Sequence, residues 1–227
     1  MAAVPFAIDV ESGAYASSER RDFEAVFARQ ALMLVRRRLG TQALKDLPQE
    51  EIAAADEYWK KMSAESDGKF RPSRVAVSKR GLTTKDFFTC FIPNGYMVTE
   101  EKIAAHPEHR VVQGKPGPRE IYVLETVGDK VSQFTMVDDG NAAGFVTNDP
   151  NYPTKMTGRL IMEGGIQIGE VYHQFKDHED GKGFDADLAI YFPAACDDDL
   201  IDCHRQHLLV EFSNWFEDAY KRAARRT

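Results

Sequence analysis

The strongest constraint on this chain comes from its C-terminal end. Asp197, Asp198 and Asp199 open a helix that runs to about Ala224. Three acids suit such a start, because side-chain oxygens cap free backbone N–H groups and negative charge favours the positive end of the helix dipole. At 100° per residue, Ile201, Leu208, Phe212, Trp215 and Ala219 form one apolar stripe. This helix follows a series of β-patterned segments linked by hairpins. A bent antiparallel sheet cannot bury its concave face alone, and a long helix laid across that face covers it. The space between helix and sheet then becomes a cavity.

From Arg74 onward the hydrophobic period changes from helical to two. Strands are expected over 74–79, 86–92, 110–113, 120–127, 130–137, 158–162, 166–176 and 184–192. Gly128-Asp129 and the stretch 178–183 read as tight hairpin connections, where glycine supplies positive φ. The polar stretch 138–155 reads as a lid or binding loop. Ahead of the sheet, helices are expected from Ser17-Ser18 to Gly40 and from Pro48 to Ser66-Asp67-Gly68. Residues 4–10 could add a first strand. No repeat or long linker divides the chain. The expectation is therefore a single α+β domain over 1–227: a helical part (1–68), a curved antiparallel sheet of six or seven strands (69–196) and the gripping helix (197–224).

Charge and cysteine usage exclude several classes. Asp and Glu number 36 against 29 Lys and Arg, a net charge of −7, which argues against nucleic-acid binding. The basic runs 36–38 and 221–226 sit at helix ends, where cations suit the dipole. No apolar run approaches the roughly 18 residues that a membrane span needs. The N-terminus lacks the basic and apolar regions of a signal peptide. Cys90, Cys196 and Cys203 lack the spacing of a disulfide framework or zinc motif. A cytoplasmic protein with reduced thiols is expected.

This order of elements resembles the helix-grip superfamily of START lipid-transfer domains, birch-pollen-allergen proteins and bacterial aromatase/cyclases, over roughly 4–224. The resemblance implies an apolar ligand cavity, used for binding in some members and for catalysis in others. The cone-shaped barrel of scytalone-dehydratase-like proteins also begins with helices, but those chains end in strands.

Alternation along the strands selects the candidate site residues. Val171, His173 and Phe175 share one face of 166–176, so His173 lies in an apolar row, as a core histidine or as a neutral base. Glu125 is the odd member of the row Ile121, Val123, Glu125 and Val127. It must find a partner, face a wet cavity or sit at a rim. On the last helix, His204, His207 and Glu211 follow at i, i+3 and i+7 along the edge of the apolar stripe. His207 and Glu211 are four apart, so they are neighbours that form either an exposed ion pair or two metal ligands. His173 and Glu125 could complete such a set from the sheet. His106 and His109, in His-Pro-Glu-His, read as loop residues because proline disfavours a helical pair.

Three functions follow as expectations. The first is a protein that binds a small apolar, aromatic or polyketide-like molecule and cyclises, dehydrates or isomerises it by proton transfer through His173, Glu125 and Tyr191. Phe134, Phe175, Phe192, Leu208, Phe212 and Trp215 would hold the ligand, and no cofactor is needed. The 14 Phe, 8 Tyr and 2 Trp supply such a pocket. The second is a zinc-dependent hydrolase with His204, His207 and Glu211 as ligands. His207 and Glu211 resemble the His-x-x-x-Glu pair on the closing helix of phloroglucinol-ketone hydrolases, which implies a phenolic ketone as substrate. The third is an interaction module whose N-terminal helices form a partner surface or homodimer seam.

Overall fold

A computed structural model of the chain describes residues 20–91, 100–114, 119–138, 140 and 145–225. The chain divides into two units, Met1–Gly40 and Thr41–Thr227. The first contributes most of a helical stretch, α1 (Arg20–Asp46), whose helical backbone is interrupted at Gly40 with φ 73° and ψ 168°. That is the stop expected at Gly40. The start at Ser17-Ser18 and the possible strand 4–10 lie outside the described residues.

The second unit holds α2 (Gln49–Glu65), β1 (Phe70–Arg80), α3 (Thr84–Phe91), α4 (Glu100–Ala104), β2 (His109–Gly114), β3 (Glu120–Val127) and β4 (Lys130–Val137). These are followed by β5 (Thr154–Ile161), β6 (Gln167–Asp177), β7 (Gly183–Pro193) and α5 (Asp198–Ala224). The strands form one seven-stranded sheet in the order β1-β7-β6-β5-β4-β3-β2, and every pair is antiparallel. Consecutive strands from β2 to β7 are sheet neighbours, and β1 adds to the far side of β7. The long amphipathic α5 buries Leu200, Ile201, Leu208, Phe212, Phe216 and Ala219. The architecture is therefore α+β, an antiparallel sheet gripped by its C-terminal helix.

Both expected hairpins are present. Val127 pairs with Lys130 across Gly128-Asp129, and Gly128 has φ 65°. A Cβ on Gly128 would also come within 3.1 Å of Leu200 Cγ, so this turn packs directly beneath α5. Trp59 of α2 anchors that helix to the sheet: its indole N–H donates to Ser132 Oγ at 2.8 Å and its rings stack on Phe192.

The expected strand 86–92 is instead helix α3 over its described residues. Thr83 caps it, accepting a hydrogen bond from Asp86 N–H at 3.1 Å while its hydroxyl donates to the Asp86 carboxylate at 2.7 Å. The Thr83 hydroxyl thus satisfies one free backbone N–H of the first turn, as a threonine N-cap does. Phe87 and Phe91 are four apart and stack on each other, a helical spacing that was read as a strand. The short helix α4 was not anticipated.

Candidate functional site

The site grows from three segments that meet on one face of the sheet. The first is β3, where Ile121, Val123 and Glu125 point the same way. The second is α5, whose inner face carries His204, His207 and Glu211, all buried. The third is the His-Pro-Glu-His turn that leads into β2. His109 pairs with Glu125, but Val111 pairs with Leu124, so the strand bulges at Arg110. A bulge adds one residue without advancing the partner and so reverses the facing of whatever precedes it. Here it turns His109 to the same side as Glu125.

Four side chains converge as a result. His109 Nε2 lies 3.1 Å from Glu211 Oε1, 3.3 Å from Glu125 Oε2 and 3.3 Å from His207 Nε2. One ring nitrogen carries at most one proton, so hydrogen bonding alone cannot satisfy these three partners. A cation can. Ligand atoms held ~2.0–2.1 Å from one tetrahedral ion lie roughly 3.3 Å apart, close to the His109–Glu211 and His109–His207 separations. The ligand atoms of His109, His207 and Glu211 all lie within 4.8 Å of one another. Glu125 stands beside this trio.

Outer contacts orient the trio. Glu108 Oε2 lies 2.9 Å from His207 Nδ1, so Nδ1–H can donate outward to Glu108 while Nε2 faces the trio. A carboxylate behind a histidine ligand is a recurring support for metal binding. His106 stacks on His207 with ring centroids 3.8 Å apart, and its Nδ1 accepts a hydrogen bond from Glu108 N–H. Asn214 Nδ2 donates to Ala105 O at 2.7 Å, and Trp215 Nε1 donates to Lys102 O at 3.3 Å. These bonds fasten the turn along α5. His106, Glu108 and His207 form a second close group, but only His109, His207 and Glu211 line the cavity described below.

The electrostatics follow from burial opposed by pairing. Burial works to lower the His207 pKa, yet the Glu108 hydrogen bond and the charges of Glu125 and Glu211 raise it to about 9. Burial pushes the Glu125 carboxyl up, and His207 and His109 only partly oppose this. Burial also favours protonated Glu211, but the His109 hydrogen bond and nearby histidines carry its pKa below the ordinary value. Without a metal, the trio therefore holds an imidazolium beside a carboxylate.

A cavity of about 160 Å³ opens next to the trio, between sheet and α5. Val123, Phe134, Leu160, Val171, Phe212 and Trp215 supply apolar walls, and His109, Glu125, His173, His204, His207 and Glu211 supply the polar lining. His173 accepts a hydrogen bond at Nδ1 from Ala189 N–H at 3.1 Å, so its proton sits on Nε2. Burial lowers its pKa to about 4, with Glu211 pulling slightly upward, and it is neutral at pH 7. Ser73 Oγ donates to Ile201 O and accepts from His204 Nδ1 at 3.0 Å, which leaves the lone pair of His204 on Nε2. Burial and the neighbouring histidines keep His204 neutral.

The residues selected from sequence divide accordingly. Glu125, His173, His204, His207 and Glu211 line one cavity, as do Phe134, Phe212 and Trp215. Phe175 and Leu208 pack in a solid cluster with Phe87 and Phe184, and Phe192 packs with Trp59 and Ile201. Tyr191 lies on the opposite face of the sheet, with Tyr172 and Ala189, where its hydroxyl accepts from Thr147 N–H at 3.0 Å. It therefore does not meet His173 or Glu125. In the trio, His109 occupies the place expected for His204. Glu108, His106 and Lys102 were not selected from sequence, and His109 was read as a loop residue. For His106, Glu108 and His109 the signal was the His-Pro-Glu-His string itself, four residues of which three can ligate a metal.

No protein-family model matches the chain, and no curated protein matches it. Among solved structures, the chain is similar to the crystal structure of Ara h 8.0201, with a TM-score of 0.45 and 13% sequence identity, over 67% of this chain and 99% of that one.

Proposed function

We propose that this protein is a metal-dependent hydrolase of a small aromatic ketone, with His109, His207 and Glu211 as ligands of a zinc-type ion. One observation carries this reading: His109 Nε2 faces another imidazole nitrogen and two carboxylates at 3.1–3.3 Å. Two histidines and a glutamate are a known catalytic zinc set, which leaves a coordination position for water or substrate. A bound ion would supply Lewis acidity toward a carbonyl oxygen.

The chain's own residues supply the remaining functions. Phe134, Phe212 and Trp215 would enclose an aromatic ring and exclude water. His173 can donate its Nε2–H to a ligand oxygen. Burial raises the Glu125 pKa above the ordinary carboxylate value, which suits it to hold and return a proton. The chemistry that fits is hydrolysis of an aryl–acyl bond. Water oxygen joins the carbonyl carbon, the aryl carbon leaves and takes a proton, and the products are an arene and a carboxylic acid.

Elemental analysis of the purified protein tests the metal reading. About one zinc-type ion per chain is expected, and it should be lost in His109→Ala and His207→Ala. Activity toward an acylated phenol should vanish with chelator and return with zinc. Substoichiometric metal after zinc supplementation rejects the reading. The second reading, metal-free cyclisation, dehydration or isomerisation, rests on His173, whose fixed tautomer and apolar setting suit acid/base chemistry. Chelator-resistant activity that is lost in His173→Ala would favour it.

A further inference from the structure

We propose that Lys102 at the cavity wall binds an oxyanion on the ligand, so that the substrate is an aryl ketone carrying an ionised carboxylate or phenolate. This rests on reading the cavity as an aryl-ketone site and adds the charge of the substrate.

Three observations support it. First, Lys102 lines the cavity together with Phe91, and its ammonium sits 4.4 Å from the centroid of the Phe91 ring. This cation–π contact holds the side chain at the wall. Second, among the described residues no carboxylate lies within ion-pair reach of its ammonium, whereas most other buried or half-buried charges near the site are paired. Half-buried cations ordinarily acquire a counter-charge, and Lys102 lines the cavity. Burial, with Arg222 nearby, already disfavours its charge and so sharpens the need for an anion. Third, its position is fixed. The Lys102 carbonyl accepts the Trp215 indole N–H, and Trp215 stands one turn beyond Glu211 on α5. Four residues of helix rise about 6 Å, and Lys102 lines the same cavity as the trio. A ligand with its ketone at the trio would direct a ring substituent toward Lys102.

The test measures binding of two probe pairs by quenching of tryptophan fluorescence and by calorimetry. 4-Acetylbenzoate is compared with 4-acetylbenzamide, and ionised 4-hydroxyacetophenone with 4-methoxyacetophenone. The first pair reads a carboxylate and the second a phenolate. In the wild-type protein at least one anionic probe should bind about tenfold tighter than its neutral partner, as expected for a charge-assisted hydrogen bond. Lys102→Met should abolish that preference while leaving the neutral probe unchanged, and Lys102→Arg should retain most of it. Equal binding within both pairs, or a preference that survives in Lys102→Met, overturns the proposal. Each measurement is made on zinc-loaded and metal-free protein. If zinc fails to load but the Lys102-dependent preference persists, the metal reading falls and this one stands. If zinc loads and the preference is absent, this one falls alone.

Discussion

Zinc uptake by this protein should be coupled to proton release, with His207 as the main source. In the metal-free chain His207 Nε2 faces His109 while Glu108, Glu125 and Glu211 hold its pKa near 9. A protonated ring cannot ligate, so metal must displace that proton. At pH 7 the site lies two pH units below the His207 value. At ~1.4 kcal/mol per unit, competition weakens apparent zinc affinity by about 2.7 kcal/mol, or about a hundredfold. Affinity should rise about tenfold per pH unit from 6.5 to 8.5 and flatten above about 9. Calorimetric titration with zinc in buffers of different ionisation enthalpy measures the number released. About one proton is expected at pH 7. Fewer than about half a proton, or an affinity independent of pH across this range, would refute the charge state assigned to the trio. The same proton stabilises the metal-free fold. That contribution is complete below about pH 6.5, the ordinary histidine value, and is lost as the pH rises through about 9. Thermal melts of metal-free protein should therefore show this loss across that window, while zinc-loaded protein should not.

The remaining predictions concern neighbours of the trio and the frame that holds them. Glu108→Gln keeps the shape but weakens the partner of His207 Nδ1, so zinc affinity should fall about 10- to 100-fold, measured by chelator competition. His204→Ala should retain one zinc per chain, because His204 is committed to Ser73, but should lower stability by about 1–3 kcal/mol in urea unfolding; loss of the metal would place His204 in the ligand set. Gly183→Ala should prevent stable folding, because its Cβ would meet the Lys79 carbonyl oxygen at 2.2 Å; a normal melt would refute the β1–β7 register. Cys196 is buried and burial pushes its thiol up to about 11, so iodoacetamide at pH 8 should label exposed Cys203 and spare Cys196, as read by peptide mass mapping.

Sequence periodicity disclosed the sheet and the closing helix because their signals are local. Gly128-Asp129 marked its hairpin, and the three acids marked the start of α5. Two members of the trio were legible for the same reason, since His207 and Glu211 are four residues apart on one helix, and their neighbour Glu125 interrupts an apolar row. His109 was hidden by the bulge at Arg110. Strict alternation groups His109 with Val111, which pairs with Leu124 on the other face of the sheet. His204 looked equivalent to His207 by spacing, and only Ser73, distant in sequence, draws it away. Helix α3 was lost to a run of phenylalanines that suits either period, although Thr83 and Asp86 marked its start. Tyr191 was chosen for its chemistry, against the alternation that places it opposite Ile190.

The irregularity at Arg110 carries a consequence for how this chemistry could arise or vanish. Whether His109 aims inward depends on a residue count, not on which side chain occupies position 110. Deleting Arg110 would restore regular pairing and rotate the imidazole outward, leaving every other ligand in place. A lineage could thus bring an imidazole to this cavity wall, or remove it, through one codon's insertion or loss.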